Sequence, residues 1–150
     1  MVIHWNEELA TGNEEIDNQN KEMFRRFNRF QVARKQGKGL EELSNLLTFL
    51  DEYIRSHFEL EEQLQIDYDF PGYLKHKEEH EGFIRNLRTL EEQLKIQGTN
   101  SILLIQINMA LVTWLIRHFN WMDKDLAKFL HTAMPKQQRL QRYQELNMIY

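Results

Sequence analysis

The sequence predicts an all-α chain: an up-down-up-down antiparallel four-helix bundle with a short N-terminal arm and a C-terminal helical extension. Three observations predict it. Apolar residues recur in alternating steps of three and four through four long segments, the rhythm of a bundle seam. Only six glycines and two prolines occur in 150 residues, almost all near the ends of those segments, which argues against many short strands. The turns between segments are short, so successive helices should run antiparallel. One domain is expected over 1–150, with the arm over 1–12, the bundle over 13–133 and the extension over 134–150.

The first helix is expected from about Asn13 to Lys35. Asn13 offers a side-chain cap, and Glu14 and Glu15 place negative charge in the positive first turn. Its inward stripe is Ile16, Asn20, Met23, Phe27 and Phe30, and Gly37 and Gly39 mark the turn that follows. The second helix, about Leu40 to Asp67, carries Leu43, Leu47, Leu50, Ile54, His57, Glu61 and Leu64. Pro71-Gly72 breaks the chain before a third helix, about Tyr73 to Ile96, with Tyr73, His76, His80, Phe83, Leu87, Leu90 and Leu94 inward. After the turn Gly98-Thr99-Asn100-Ser101, a fourth helix runs from about Ser101 to Ala133 with Leu104, Ile107, Leu111, Trp114, His118 and Trp121 on one stripe. Pro135 closes it. A weaker pattern through Leu140, Tyr143, Leu146 and Tyr150 predicts a short further helix.

Composition narrows the function. Hydrophobic residues make up 41% and charged residues 28%, the balance of an ordinary globular chain. The formal net charge is −4 without a basic block, which disfavours nucleic acid as a partner. No signal-peptide pattern is visible at the N-terminus, and no apolar run reaches the ~18 residues of a membrane span, so a cytoplasmic setting without membrane contact is expected. Cysteine is absent, so a metal would have to be held by nitrogen and oxygen.

Polar residues interrupt the apolar stripes. His57, Glu61, His76, His80 and His118 occupy positions where the pattern demands apolar side chains, and Asp123 lies about one turn beyond His118. Burying one polar group unpaired costs ~1–3 kcal/mol, and an unpaired charge more. Five or six such groups in one layer would approach the total stability of a domain, ~5–15 kcal/mol. A metal ion removes the conflict by taking the imidazole lone pairs and neutralising the carboxylates. His57 and Glu61, like His76 and His80, stand at i, i+4 and share a helix face. His118 and Asp123 stand at i, i+5, about 140° apart on an ideal helix. Either Asp123 reaches round from the flank or the helix widens into a π-type turn. Imidazole and oxygen donors suit iron, zinc, copper or nickel, and two carboxylates suffice to bridge two ions. His4 and His131 fall outside this pattern and are read as structural, His131 near the negative end of the fourth helix. Phe24, Phe27, Phe58, Phe83, Trp114, Phe119 and Trp121 could wall off a dry pocket, besides serving as core.

Several segments carry a likeness. Trp5-Asn6-Glu7-Glu8-Leu9, then Thr11-Gly12 and Ile16-Asp17-Asn18-Gln19, resemble the opening of bacterial hemerythrins. His57-Phe58-Glu59-Leu60-Glu61-Glu62 resembles their HFxxEE box. His76 to His80 with Phe83, and Trp114-Leu115 through His118 to Asp123, resemble their remaining two motifs, so the likeness spans about residues 5 to 131. It implies a di-iron centre, oxo- or hydroxo-bridged, that binds dioxygen. By the same resemblance His76, His80 and His118 would hold the first iron, Glu61 and Asp123 would bridge, and His57 would hold the second. The departure is Asn20, which stands where the family has a histidine ligand of the second iron. The second ion could persist with water or the Asn20 oxygen completing its shell, bind weakly or in part, or be lost.

The expected function is dioxygen binding for carriage, storage or sensing, with dioxygen or another small diatomic molecule as the partner. An alternative is an iron enzyme of the same scaffold that reduces dioxygen, peroxide or nitric oxide. A third reading is an interaction module whose 136–150 segment docks on another helix.

Overall fold

The computed structural model describes residues 3–98 and 100–148. Expectations at Met1, Val2, Thr99 and Tyr150 lie outside those residues. After a single 3-10 turn, Glu7–Leu9, come α1 (Glu14–Lys35), α2 (Gly39–Asp67), α3 (Tyr73–Gln97) and α4 (Ser101–Arg117). A π-helical segment, His118–Asp123, leads into α5 (Lys124–Thr132), and α6 (Lys136–Met148) ends the described chain. No strand occurs among the described residues. This is an all-α helical bundle.

Local chemistry accounts for the boundaries. The Asn13 carboxamide caps α1 by accepting from the Ile16 amide at 3.1 Å, and Asn100 caps α4 through the Leu103 amide at 2.8 Å. Each cap satisfies one of the orphan N–H groups at a helix start. Gly98 closes α3 with φ at +70°, a conformation costly for any residue with a Cβ. The turns leave successive helices packed on one another, and a buried hydrogen bond from Gln31 to Asn108, 2.6 Å, joins α1 to α4.

The apolar core runs the length of the bundle through Phe27, Phe30, Leu43, Ile54, Phe58, Leu87, Ile107, Leu111 and Phe119, all essentially inaccessible. The stripes expected on α1 and at the centre of α2 and α3 are buried. Tyr73, Leu90 and Leu94 at the ends of the α3 stripe are half-buried, and four further positions differ. Leu64 is only half-buried and Gln65 takes the inward position instead. On α4, Leu104 and Trp114 are half-buried, while Leu103 and Leu115 complete the inner face. Trp121 is 63% exposed, not inward, because the π segment adds residues to the turn and carries Trp121 out while Asp123 goes in. By length and hydropathy the stretch from Ser101 onward contains a window apolar enough to cross a membrane, contrary to the expectation from sequence. Its Leu103, Ile107, Leu111 and Leu115 face the bundle, as those of a core helix do.

The arm is tied down. Asn28 bonds both backbone groups of Ile3, at 2.8 and 2.7 Å, and Trp5 packs edge-on against Phe24. Asp17 accepts from the Thr11 amide and hydroxyl, 2.8 Å each. His131 on α5 bonds the Ala10 carbonyl at 2.8 Å, which gives that histidine the structural place expected for it.

Candidate metal centre

Three helical segments bring six polar side chains together near one end of the core. His57 and Glu61 come from α2, His76 and His80 from α3, and His118 and Asp123 from the two ends of the π segment. All six are at most 2% exposed. Pairs separated by four residues share a face on α2 and α3. On the last strand of helix the spacing is five, and the π turn brings His118 Nε2 to 3.0 Å from Asp123 Oδ1. Of the two geometries the spacing allowed, the chain takes the widened turn.

The ring nitrogens converge. His118 Nε2 lies 3.1 Å from His76 Nε2 and 3.3 Å from His80 Nε2. Glu61 Oε1 stands 3.3 Å from His76 Nε2, and its Oε2 stands 3.5 Å from His80 and 3.6 Å from His57. Asp123 Oδ1 is also 3.2 Å from His76 Nε2. Ligand atoms of Glu61, His76, His80 and His118 all lie within 4.8 Å of one another. Three nitrogens so spaced can all reach one ion at about 2.0–2.1 Å, the usual imidazole–zinc distance.

Buried but unpaired polar atoms make the same point independently. Neither oxygen of Glu61 or Asp123 accepts an aligned hydrogen bond, although imidazole nitrogens crowd both carboxylates. Polar atoms therefore crowd together across a dry interior without satisfying one another. A cation is the group that satisfies nitrogen and oxygen donors at once, so the residues present fit a metal ion.

Electrostatics without a cation show the strain. Burial holds the His57 imidazole down to about 4, against the opposing charge of Asp123. Burial also lowers His76, and His80 well below the ordinary histidine value, with neighbouring imidazoles adding to the effect on His80. Burial raises the Glu61 carboxyl well above its usual range, reinforced by Asp123 beside it. Asp123 is pushed up by burial but held well below its usual range by the imidazoles of His118 and His76. Neutral imidazoles and an ionised Asp123 are the forms a metal takes.

The surroundings hold the rings in place. Phe58 stacks on His80 with centroids 3.7 Å apart and planes within 4°. Trp114 stacks on His118 at 4.4 Å and 12°. Phe24 and Phe119 stack on one another beside α1. The sequence reading missed two outer contacts. Gln19 Oε1 lies 2.8 Å from His57 Nδ1, and the Gln65 amide 3.0 Å from His76 Nδ1. In the sequence Gln19 stands out only as part of the Ile16-Asp17-Asn18-Gln19 motif. A glutamine at i+4 from Glu61 was the available signal for Gln65. Asn20 sits beside Gln19 on α1, 1% exposed, and neither amide atom has a hydrogen-bond partner.

Comparison with known proteins agrees with this geometry. The family described as Hemerythrin HHE cation binding domain matches residues 11–130. A bacteriohemerythrin of Pseudomonas aeruginosa is 32% identical over 114 residues, covering 76% of this chain and 72% of that protein. A bacteriohemerythrin of Stenotrophomonas maltophilia is 28% identical over 126 residues, 84% of this chain and 80% of its own. A hemerythrin-like protein of Naegleria gruberi is 28% identical over 121 residues, 81% and 87% of the two chains. A helical bundle with buried imidazoles and carboxylates around one point is, by class, a metal-binding protein. The chain belongs to the hemerythrin family, with its HHE cation-binding domain.

Proposed function

We propose that this chain is a non-haem di-iron protein that binds dioxygen for carriage, storage or sensing, with its second iron position altered by Asn20. The observation that carries the reading is the convergence of His76, His80 and His118 on one point, with Glu61 and Asp123 against it. In this reading the three imidazoles would hold the first ion, His57 would hold the second, and Glu61 and Asp123 would supply oxygen donors to the pair. When bound, two irons supply the electrons that make dioxygen binding possible. The relatives' names, bacteriohemerythrin and hemerythrin-like protein, support the same class.

The chain's own residues have the remaining tasks. Gln19 fixes the His57 ring so that Nε2 faces Glu61. Phe58 and Trp114 clamp His80 and His118 face-on and keep water from the imidazoles. A dry wall of this kind limits proton delivery to a bound ligand. Asn20 brings a neutral amide where a seventh ligand belongs, so that end of the centre keeps one imidazole.

The test is anaerobic iron loading followed by repeated exchange of dioxygen and argon. A reversible optical change with close to two irons per chain is expected. An irreversible change, with consumption of dioxygen, would favour the enzyme of the same scaffold, a reading that rests on the unpartnered Asn20 amide. No optical response in verified iron-loaded protein would overturn both.

A further inference from the structure

Helix α4 carries two apolar faces. One is the inner stripe, with Leu103, Ile107, Leu111 and Leu115 buried in the bundle. Ile102, Ile105, Met109, Val112 and Ile116 form the other. At 100° per residue Met109 stands about 200° from both Ile107 and Leu111, on the side of the helix away from the core. Ile102, Ile105 and Met109 are 71%, 52% and 63% exposed, and Val112 and Ile116 are half-buried. These five residues follow one another in alternating steps of three and four, the a/d rhythm of a helix-pairing seam.

The charge pattern selects what covers this seam. No charged residue occurs from Ser101 to Ile116. The other long helices all expose charge, with Arg25 and Arg29 on α1, Glu52 and Glu59 on α2, and Glu78 and Glu92 on α3. An uncharged seam offers nothing to a charged partner. Set against itself it opposes no like charges, which is what a contact between identical surfaces requires. A helix lying on a membrane lines its polar face with several Lys and Arg, whereas α4 has Arg117 alone, in a chain of net charge −4. Arg117 also sets the direction. Two parallel copies of α4 would bring their guanidinium groups side by side. Antiparallel copies hold them at opposite ends, with the helix dipoles opposed.

We propose that two copies of this chain pair through α4, antiparallel about a two-fold axis that passes between Met109 and Val112. In that register Met109 of each copy lies against the partner's Val112, and Ile105 against the partner's Ile116. The seam and its flanks present on the order of 500 Å² per copy, so ~1,000 Å² is covered in all, the small end of specific interfaces. The dimer is therefore reversible, not obligate. It does not depend on what the buried cluster holds, and it adds a partner that the dioxygen reading does not require.

Sedimentation equilibrium of the full chain tests the pairing. A monomer–dimer equilibrium in the micromolar range is expected. Met109→Glu should raise the dissociation constant about tenfold or more, and so should Met109→Lys, because like charges then meet beside the axis. An equimolar mixture of the two variants should regain the dimer. Met109 is exposed, so the far-UV circular dichroism of each variant should match that of the parent. The chain has no cysteine, so single cysteines report the geometry by air oxidation. Met109→Cys should crosslink. Ile102→Cys should not, since the two copies of that position lie roughly 25 Å apart along the helices. A chain that stays monomeric across the micromolar range overturns the proposal, and binding of that monomer to vesicles of anionic lipid would give the seam to a membrane instead. A dimer indifferent to Met109→Glu uses another face and overturns it equally. Crosslinking at Ile102→Cys and not at Met109→Cys overturns the antiparallel arrangement.

Discussion

Gln65 backs His76 across the α2–α3 interface: the carboxamide nitrogen lies 3.0 Å from Nδ1 of the imidazole, and both residues are fully buried. In this arrangement the amide N–H donates to Nδ1, the proton of the ring sits on Nε2, and Gln65 Oε1 has no partner. A cation on Nε2 reverses the pattern. The ring proton must then be on Nδ1, and the amide must turn so that Oε1 accepts it. Gln65 therefore answers to the state of the centre while touching none of it.

Gln65→Leu is accordingly expected to weaken metal binding at the three-histidine end by about 10–100-fold, the usual effect of removing an outer partner. Chelator competition measures it. Gln65→Glu, which keeps an acceptor for Nδ1–H, should recover most of the loss. Equal weakening by both variants would show that Gln65 acts through packing alone.

Asn20→His restores an imidazole at a position that is 1% exposed and already points two unpaired polar atoms into the interior. The metal-to-protein ratio should rise toward two, with slower loss of the second ion to a chelator. An unchanged ratio would mean that the asparagine is not what limits the second position.

Removing metal should lower the unfolding midpoint, because the cluster is then left buried without its cation. The metal-free chain should also become more stable as pH rises from about 4 to 6.5. Across that window unfolded histidines bind protons that folded His57, His76 and His80 refuse, so the unfolded state takes up more protons and the slope is positive. For His57 alone, a drop from 6.5 to about 4 amounts to about 3 kcal/mol, present above 6.5 and lost on acidification. Glu61 works the other way above 4.5, since it keeps its proton when folded. Three imidazoles outweigh one carboxyl. Urea midpoints at several pH values check the sign, and a midpoint that falls between pH 4.5 and 6.5 would falsify the account.

The π segment behaves as one extra residue in an α-helix. Deleting the exposed Asn120 should convert it to an α-turn, with His118 and Asp123 then at i, i+4 and still on one face. Metal binding should survive. Deleting the equally exposed Ala110 instead turns everything after it by about 100° and should abolish binding. Equal loss in both deletions would deny the π segment this role.

Much of this was legible in the sequence, for identifiable reasons. Helix boundaries follow from side-chain caps such as Asn13 and from Gly98, all local chemistry. The inward placement of His57, Glu61, His76 and His80 follows from spacing within single helices. Legibility fails where the period changes. Extrapolating a regular helix past His118 put Trp121 inside, whereas the π turn puts it outside and Asp123 in its place. Gln65 escaped because glutamine on a helix is ordinarily solvated, and only the His76 ring across the interface explains its burial.

The arm also ties two distant parts of the chain to one another. Ala10 is held by His131 and Glu8 by Lys124, so the start of the chain is latched onto the helix that follows Asp123. Ile3, clasped by Asn28, secures the other end of the latch on α1. Opening the bundle beside Asp123 therefore has to break the bond from His131 to Ala10 as well as the packing of α5.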